Sequence, residues 1–324
     1  MSITERLANL SPLTVIITVV VLLVLRFALL KLKNPIAKSI AEIAESLAVA
    51  MALVFLLIRP FVVQAFYIPS ASMHPTLLEQ DHILVNKFIY RIRDPRLGDV
   101  VVFKAPMNAT PDVMQQIEAD ADARGLAGKE RSDYIVNESK KREKDFIKRV
   151  IAVPGDVVRI TPGYVLIGDI QYSHADLRSQ LSDMAREDGD HKVKLEGSNV
   201  YVDGRKISNS EVAAAFNDPN AKVKVVPAKV YINGKALNEP YIAEDPDDAY
   251  PGGRSLVDPK WIVTEKVGKQ RVQEVKIPKG KLLVMGDNRN DSNDARFWGL
   301  LSRDRVLGKA MFIFWPLDRI TWIH

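Results

Sequence analysis

Apolar positions fall along this chain in two regimes that meet near residue 66. In the first they run unbroken over membrane-length stretches. Residues 13–30, LTVIITVVVLLVLRFALL, contain one charge, Arg26, four positions from the end. As a helix this stretch reaches about 27 Å, enough to cross a hydrocarbon core with Arg26 snorkelling to the near interface. Lys31-Leu-Lys33 follows where a secretory signal would carry a small-x-small cleavage site, so the helix is expected to be retained. A second run goes from Leu47 to Ile58 and resumes after Arg59-Pro60 as Phe61–Phe66, so residues 47–66 read as a second span. The loop between them, 31–46, carries Lys31, Lys33 and Lys38, and its Glu42 and Glu45 weigh little in the positive-inside rule. It is therefore expected on the cytoplasmic side, with both termini and everything after Phe66 outside.

The second regime begins after Leu78. Short apolar runs separated by turn residues predict strands at 83–86, 99–103, 146–153, 157–160, 281–285 and 310–314. Asp203-Gly204 and Asn233-Gly234 are hairpin signals. The exported part, 67–324, is expected to be mostly β, in a barrel-like or multi-sheet arrangement. Two stretches break the pattern and read as insertions. Residues 107–144 are highly charged and predict an exposed loop with some helix. Residues 169–196 contain one helical pattern, HADLRSQLSDMARED, inside an otherwise β region.

Composition adds a lipid partner and removes several chemistries. A net charge of +5 suits anionic headgroups, and no zinc pattern, Gly/Arg tract or aromatic-basic motif points to nucleic acid. With no cysteine, disulfides, thiolate zinc sites and Cys nucleophiles are excluded. The five histidines show no metal-ligand spacing. The stretch GDNRNDSND (286–294) resembles a calcium loop only loosely: Arg289 occupies a ligand position and the required glycine is missing. No metal or cofactor is implied.

Candidate nucleophiles lie in Tyr67-Ile-Pro-Ser-Ala-Ser-Met-His-Pro-Thr-Leu77, where Pro69 and Pro75 restrict the backbone around two serines. If the segment is extended, Ser70 and Ser72 point to the same side. A turn leaving a membrane helix would look the same. A serine nucleophile also needs a proton acceptor. His74 is near in sequence but points the same way as Ser72 along an extended chain. A lysine can serve if burial disfavours its ammonium. Lys148, sharing a strand face with Phe146 and Val150, is one candidate. The alternative is a strand lysine whose tip reaches water, and Arg149 beside it reads as an exposed charge.

Taken in order, these motifs resemble one family. Two apolar segments precede Ser70-Ala-Ser72-Met-His-Pro75-Thr-Leu77, then Gly98-Asp-Val-Val-Val-Phe103, Asp145-Phe-Ile-Lys148-Arg-Val with Pro154-Gly-Asp156, and Gly286-Asp-Asn-Arg-Asn-Asp-Ser292-Asn-Asp294-Ala-Arg296 with Trp298-Gly299. The set is similar to bacterial type I signal peptidase (leader peptidase). The resemblance implies a serine–lysine endopeptidase of the inner membrane, with its catalytic domain on the periplasmic face. That domain would have an antiparallel β-rich core and a smaller β-rich extension, here much of 107–142 and 160–275. It further implies Ser72 as nucleophile and Lys148 as general base. Ser70 would complete the oxyanion hole, Ser292 would orient the amine, and Asp287, Asp294 and Arg296 would brace the site. Ile68, Met73, Leu77, Phe146 and Ile147 match substrate-pocket positions. Implied partners are preprotein signal peptides with small-x-small cleavage sites, membrane lipids and the export machinery.

The chain departs from the family pattern at Asn290-Asp291, Ala295 and Leu97, which leaves the roles of Asp291 and Leu97 open. Three other readings compete. They are a Ser/Lys peptidase for a pilus or conjugation precursor, a Ser–His hydrolase using His74, and a non-catalytic membrane-anchored β-domain adaptor.

Overall fold

A computed structural model describes residues 12–32, 34–58, 62–184, 193–196, 199–267 and 270–324. Lys33, the Arg59-Pro60 break with Phe61, the last residues of the expected HADLRSQLSDMARED helix and His191 lie outside the described residues.

The first apolar stretch forms the helix Pro12–Leu30, as expected. The second departs from expectation: a helix already runs over Pro35–Ala52 and passes into a π-helical turn at Leu53–Ile58. Most of the anticipated loop 31–46 is thus helical, and the connection shrinks to a few residues. Asn34 starts the helix by accepting a hydrogen bond from Ile36 N at 2.9 Å, with Pro35 at the first helical position. The reason lies in small residues rather than in an unbroken apolar run. Ala37, Ala41, Ala44 and Ala48 form one buried stripe, which lets the two helices close on each other. Arg26 reaches across to Glu45 at 2.9 Å. Both helices are long and apolar enough to cross a membrane, over Leu13–Leu30 and Pro35–Leu56. The expected end of the second span is instead sheet: Val63–Tyr67 is a strand paired with His82–Asn86.

The main sheet is antiparallel throughout. Its order is Val63–Tyr67, His82–Asn86, Val306–Trp315, Val100–Lys104, Asp145–Ala152, Lys281–Met285 and Leu301–Ser302, with Thr321–Trp322 paired beside Val306–Trp315. Valine and isoleucine dominate the central strands, as suits strands covered on both faces. One face belongs to a core containing Phe103, Ile151 and Leu283. The other includes Ile68, Met73, Leu77, Val100 and Val102.

The 107–142 insertion is more ordered than its charge suggests. It folds as the helices Pro111–Ala123 and Gly128–Lys141, the first burying Val113, Ile117 and Ala121. The 160–275 region divides in two. Its five-stranded sheet, built on Val157–Thr161, contributes Val158, Ile160, Val230 and Val275 to the same core as the main sheet, joined there by Tyr250, which bridges to Ile160. The stretch from Tyr164 to Val226 has its own core, around Val165, Leu177, Leu195 and Val212. Both anticipated hairpin turns form, with Asp203, Gly204, Asn233 and Gly234 all at positive φ.

One glycine shows how tightly the central strands meet. A Cβ on Gly308 would stand 2.5 Å from Asn86 O and 2.7 Å from a Val85 methyl. Gly308→Ala should therefore cost about 1–3 kcal/mol of stability by overpacking, read as a lower midpoint in urea unfolding of the detergent-solubilised protein.

Candidate active site

The stretch after Pro69 is not uniformly extended. Ser70 is extended, but Ala71–Met73 form one turn of 3-10 helix closed by His74 N donating to Ala71 O at 2.9 Å. The turn is seated by its apolar side: Met73 and Leu77 have 0% exposure and Ile68 has 2%. Backbone bonds between Ile68 and both Gln80 and Asp81 close the loop behind it. The expectation that Ser70 and Ser72 share one face of a strand is therefore replaced by a strand-to-turn step. Their hydroxyls still come within 3.5 Å.

Lys148 approaches from the strand Asp145–Ala152, whose register places it opposite Val101. Its Nζ lies 2.7 Å from Ser72 Oγ, although 76 positions separate the two in sequence. The side chain is buried, and the residue is 4% exposed. Burial pushes the amine down from its ordinary value to about 8, because desolvation penalises the ammonium. The carboxylates of Asp294, Asp287 and Asp291 pull the other way, and Arg296 assists the lowering. The face of Phe146 lies 5.7 Å from Nζ.

His74 does not serve this serine. Its Nε2 meets Glu79 Oε2 at 2.6 Å, which removes the geometric basis for the Ser–His reading.

The loop after Met285 closes the site from the far side. Gly286 must be glycine, since a Cβ there would lie 2.3 Å from Ser292 Oγ and 2.4 Å from Ser72 O. Asn288 secures the serine turn twice, by its N–H to Ser72 O and by its side-chain amide to Ala71 O, both at 3.2 Å. Asp294 accepts from Gly286 N at 3.0 Å and from Arg296 Nε and Nη2, both at 2.9 Å. Burial alone would raise the Asp294 carboxyl; the Arg296 guanidinium and these hydrogen bonds outweigh it and hold the group ionised. Ser292 is buried; its hydroxyl makes no hydrogen bond of ordinary geometry among the described residues, though its nearness helps to lower the Asp294 carboxyl.

Arg149 overturns its reading as an exposed charge. It is buried and binds Asp287 in bidentate fashion, at 2.8 and 2.7 Å. Thr76 Oγ1 donates to the same carboxylate at 2.6 Å, and Arg149 also reaches the carbonyls of Gly98 and His324. The strand is central, so the face opposite Lys148 is covered as well. With Asp287 so occupied, the calcium reading has lost its first ligand. Sequence reasoning missed Arg149, Thr76, Asn288 and Arg289. Only the density of hydrogen-bonding side chains at 286–294 hinted at such a network. Leu97 and Asp291 are at the surface.

The five expected pocket residues divide. Phe146 and Ile147 keep part of their surface exposed. Ile68, Met73 and Leu77 lie in the core, so in this conformation they support the serine turn rather than lining an open pocket.

Comparison with known proteins supplies the family. The family described as signal peptidase, peptidase S26 matches residues 40–191 and 218–315. A probable signal peptidase I-2 of Synechocystis is 28% identical over 290 residues, covering 90% of this chain and 80% of the relative. A signal peptidase I of Aquifex aeolicus is 29% identical over 299 residues, covering 85% and 83%. One from Leptolyngbya laminosa is 28% identical over 290 residues, covering 90% and 85%.

The buried amine has a consequence for stability. The folded-state value of Lys148 is lowered to about 8 from 10.5. Between those values the unfolded chain binds the extra proton, so stability rises with pH across that window. Below pH 8 the full penalty applies, on the order of 3 kcal/mol. Lys148→Met should therefore unfold later than the parent below pH 8, with the advantage shrinking between pH 8 and 10.5. A constant difference across that range in denaturant titrations would contradict a desolvated amine.

Proposed function

The chain belongs to the signal peptidase family, peptidase S26, and is a serine endopeptidase that cleaves signal peptides; from that premise we propose Ser72 as its nucleophile and Lys148 as its general base. The observation that carries this assignment is the 2.7 Å contact between Lys148 Nζ and Ser72 Oγ, with the amine shielded from water. The uncharged amine takes the hydroxyl proton as Oγ attacks the scissile carbonyl. The developing oxyanion is met by the Ser72 N–H and the Ser70 hydroxyl. The lysine then protonates the departing amine of the mature protein, leaving the signal peptide as an acyl-enzyme. Water gives its proton to the same lysine and releases the peptide.

The remaining roles follow from position. Asp287, Asp294 and Arg296 brace the loop against the serine turn through charged hydrogen bonds. Ser292, with its buried hydroxyl, orients the amine once substrate closes the site. Phe146 and Ile147 bound the substrate cleft, and Ile68, Met73 and Leu77 form the rigid layer beneath the serine turn. Bulky neighbours of this kind fit small side chains at the cleavage site. The preferred substrate is accordingly a preprotein with a small-x-small signal. The scheme needs no metal or organic cofactor.

Two apolar helices anchor the chain. We assign the anchor to residues up to 58 and the catalytic domain to residues from 62 onward, on the outer face of the inner membrane. Lys31 and Lys38 at the short connection favour its cytoplasmic placement. At the end of the main sheet where Tyr67 and Trp315 flank His82, Tyr67, Trp315, Leu317, Ile320 and Trp322 are exposed, a composition suited to the headgroup layer. Cleavage at that level meets a signal peptide as it leaves the bilayer, beside the export machinery.

With a purified preprotein, Ser72→Ala and Lys148→Ala should each lower cleavage by at least ~1,000-fold. His74→Ala should keep it within a few-fold. The rate should rise with pH through about 8, as the amine loses its proton. Cleavage that persists in Lys148→Ala sinks the assignment of the base.

A further inference from the structure

Resting on the peptidase reading above, we infer that Glu239 and Tyr241 are positioning residues for the Ser72–Lys148 pair, and that residues 239–247 form a strap across the catalytic loop. These residues follow the hairpin strand Lys235–Ala236 in the extension and touch neither Ser72 nor Lys148. They instead grip the loop that does.

The grip is continuous. Glu239 takes the buried guanidinium of Arg289 with both oxygens, at 2.5 and 3.2 Å. Ala243 N donates to Asp287 O at 3.0 Å. Asn290 is held at both ends of its amide, accepting from Asp247 N at 2.9 Å and donating to Asp245 O at 3.0 Å. Residues 287, 289 and 290 thus face the strap, while Asn288 faces the serine turn through its bonds to Ala71 O and Ser72 O. Arg289 carries the grip further. Its Nε donates to Gly286 O, and its own carbonyl accepts from Arg296.

Tyr241 reaches the neighbour of the other partner. Its ring lies 4.0 Å from the Arg149 guanidinium carbon. Arg149 follows Lys148 on the strand and holds Asp287 in its fork. The strap therefore touches the nucleophile's support on one side and the base's neighbour on the other.

A contribution to stability does not account for this arrangement. Glu239 and Arg289 side chains are 7% and 0% exposed, and a buried ion pair is weak evidence for stability because desolvation offsets its attraction. What a bidentate pair supplies is a fixed direction and distance. Here those are set between the extension and the loop carrying Gly286 and Asn288. If the loop loosens, water reaches Lys148, easing the desolvation that lowers its amine. The charged groups facing that amine are Asp287, Asp291, Asp294 and Arg296, with Arg149 adjacent in sequence. Three of them sit on the strapped loop, and Arg296 and Arg149 pair with its carboxylates.

The test uses the detergent-solubilised full chain, a purified preprotein, and kcat, KM and the pH profile of kcat. Glu239→Gln should lower kcat about tenfold or more, shift KM far less, and move the ascending limb to higher pH. Tyr241→Leu should act in the same direction, with Tyr241→Phe recovering most of the loss because the ring face is kept. Glu239→Asp, charged but one methylene shorter, should fall between the parent and Glu239→Gln. Folded variants with the parent's kcat and limb overturn the strap. So does a drop in active fraction with the limb unmoved, which marks a merely structural role. If Glu239→Gln does not fold, Glu239→Asp and Tyr241→Leu decide. Failure of the parent to cleave, or cleavage by Lys148→Ala, would instead strike the peptidase reading beneath and take the strap with it.

Discussion

A lysine amine kept out of water, 2.7 Å from a serine hydroxyl, is the constraint that orders the rest of this structure. Desolvation makes the amine easier to keep neutral, but carboxylates gathered nearby would undo that by favouring the ammonium. The protein resolves the conflict by committing its buried carboxylates elsewhere. Asp287 lies in the fork of Arg149, and Asp294 is taken by Arg296 and Gly286 N. Each carboxylate can then brace the loop, and its pull on the lysine stays smaller than the desolvation. The arginines are part of the surroundings of Lys148, although among the described residues none of them is hydrogen-bonded to Ser72.

The same constraint explains the close approach at Gly286. To exclude water from Lys148, the loop must lie directly on the serine turn, leaving no room for a side chain between Ser292 Oγ and Ser72 O. Asn288 then joins the turn holding Ser72 to the loop around Lys148 by two hydrogen bonds. Apolar packing beneath them does the remaining work. Met73 and Leu77 fill the core under the serine turn, fixing its height against the strand that carries Lys148.

These relations were unevenly legible in the sequence. The mostly β character, the first membrane helix and both hairpin turns follow from local pattern and turn chemistry, and they form as expected. The second helix begins earlier than its apolar run because its packing depends on an alanine stripe. Small side chains carry little apolar weight beside Lys38, Glu42 and Glu45, so that stripe does not stand out. Alternation along 146–153 put Lys148 on a face with Phe146 and Val150. By the same logic Arg149 pointed to water. That failed because the strand lies inside the sheet with both faces covered, which only long-range pairing decides. The Ser72–Lys148 contact was likewise beyond local reasoning and rested on the order of motifs. Glu239 and Tyr241 had no signal beyond following a hairpin.

The extension need not be uniformly important to the site. Its stretch from Tyr164 to Val226 has a separate core, and the family match omits residues 192–217 within it. Its polar link to the loop runs through His174 and Arg178, both bound to Asp247, whose backbone N–H holds Asn290. The five-stranded sheet, by contrast, shares its core with the main sheet. Residues 239–247 leave that sheet and cross the catalytic loop before returning at Tyr250, which bridges to Ile160. A change in the separately packed stretch can reach the loop through Asp247 and Asn290. A change in the shared sheet moves the strap itself, and with it Arg289, Arg149 and the seal over Lys148. The part of the extension bound to the common core is therefore the part that belongs to the chemistry.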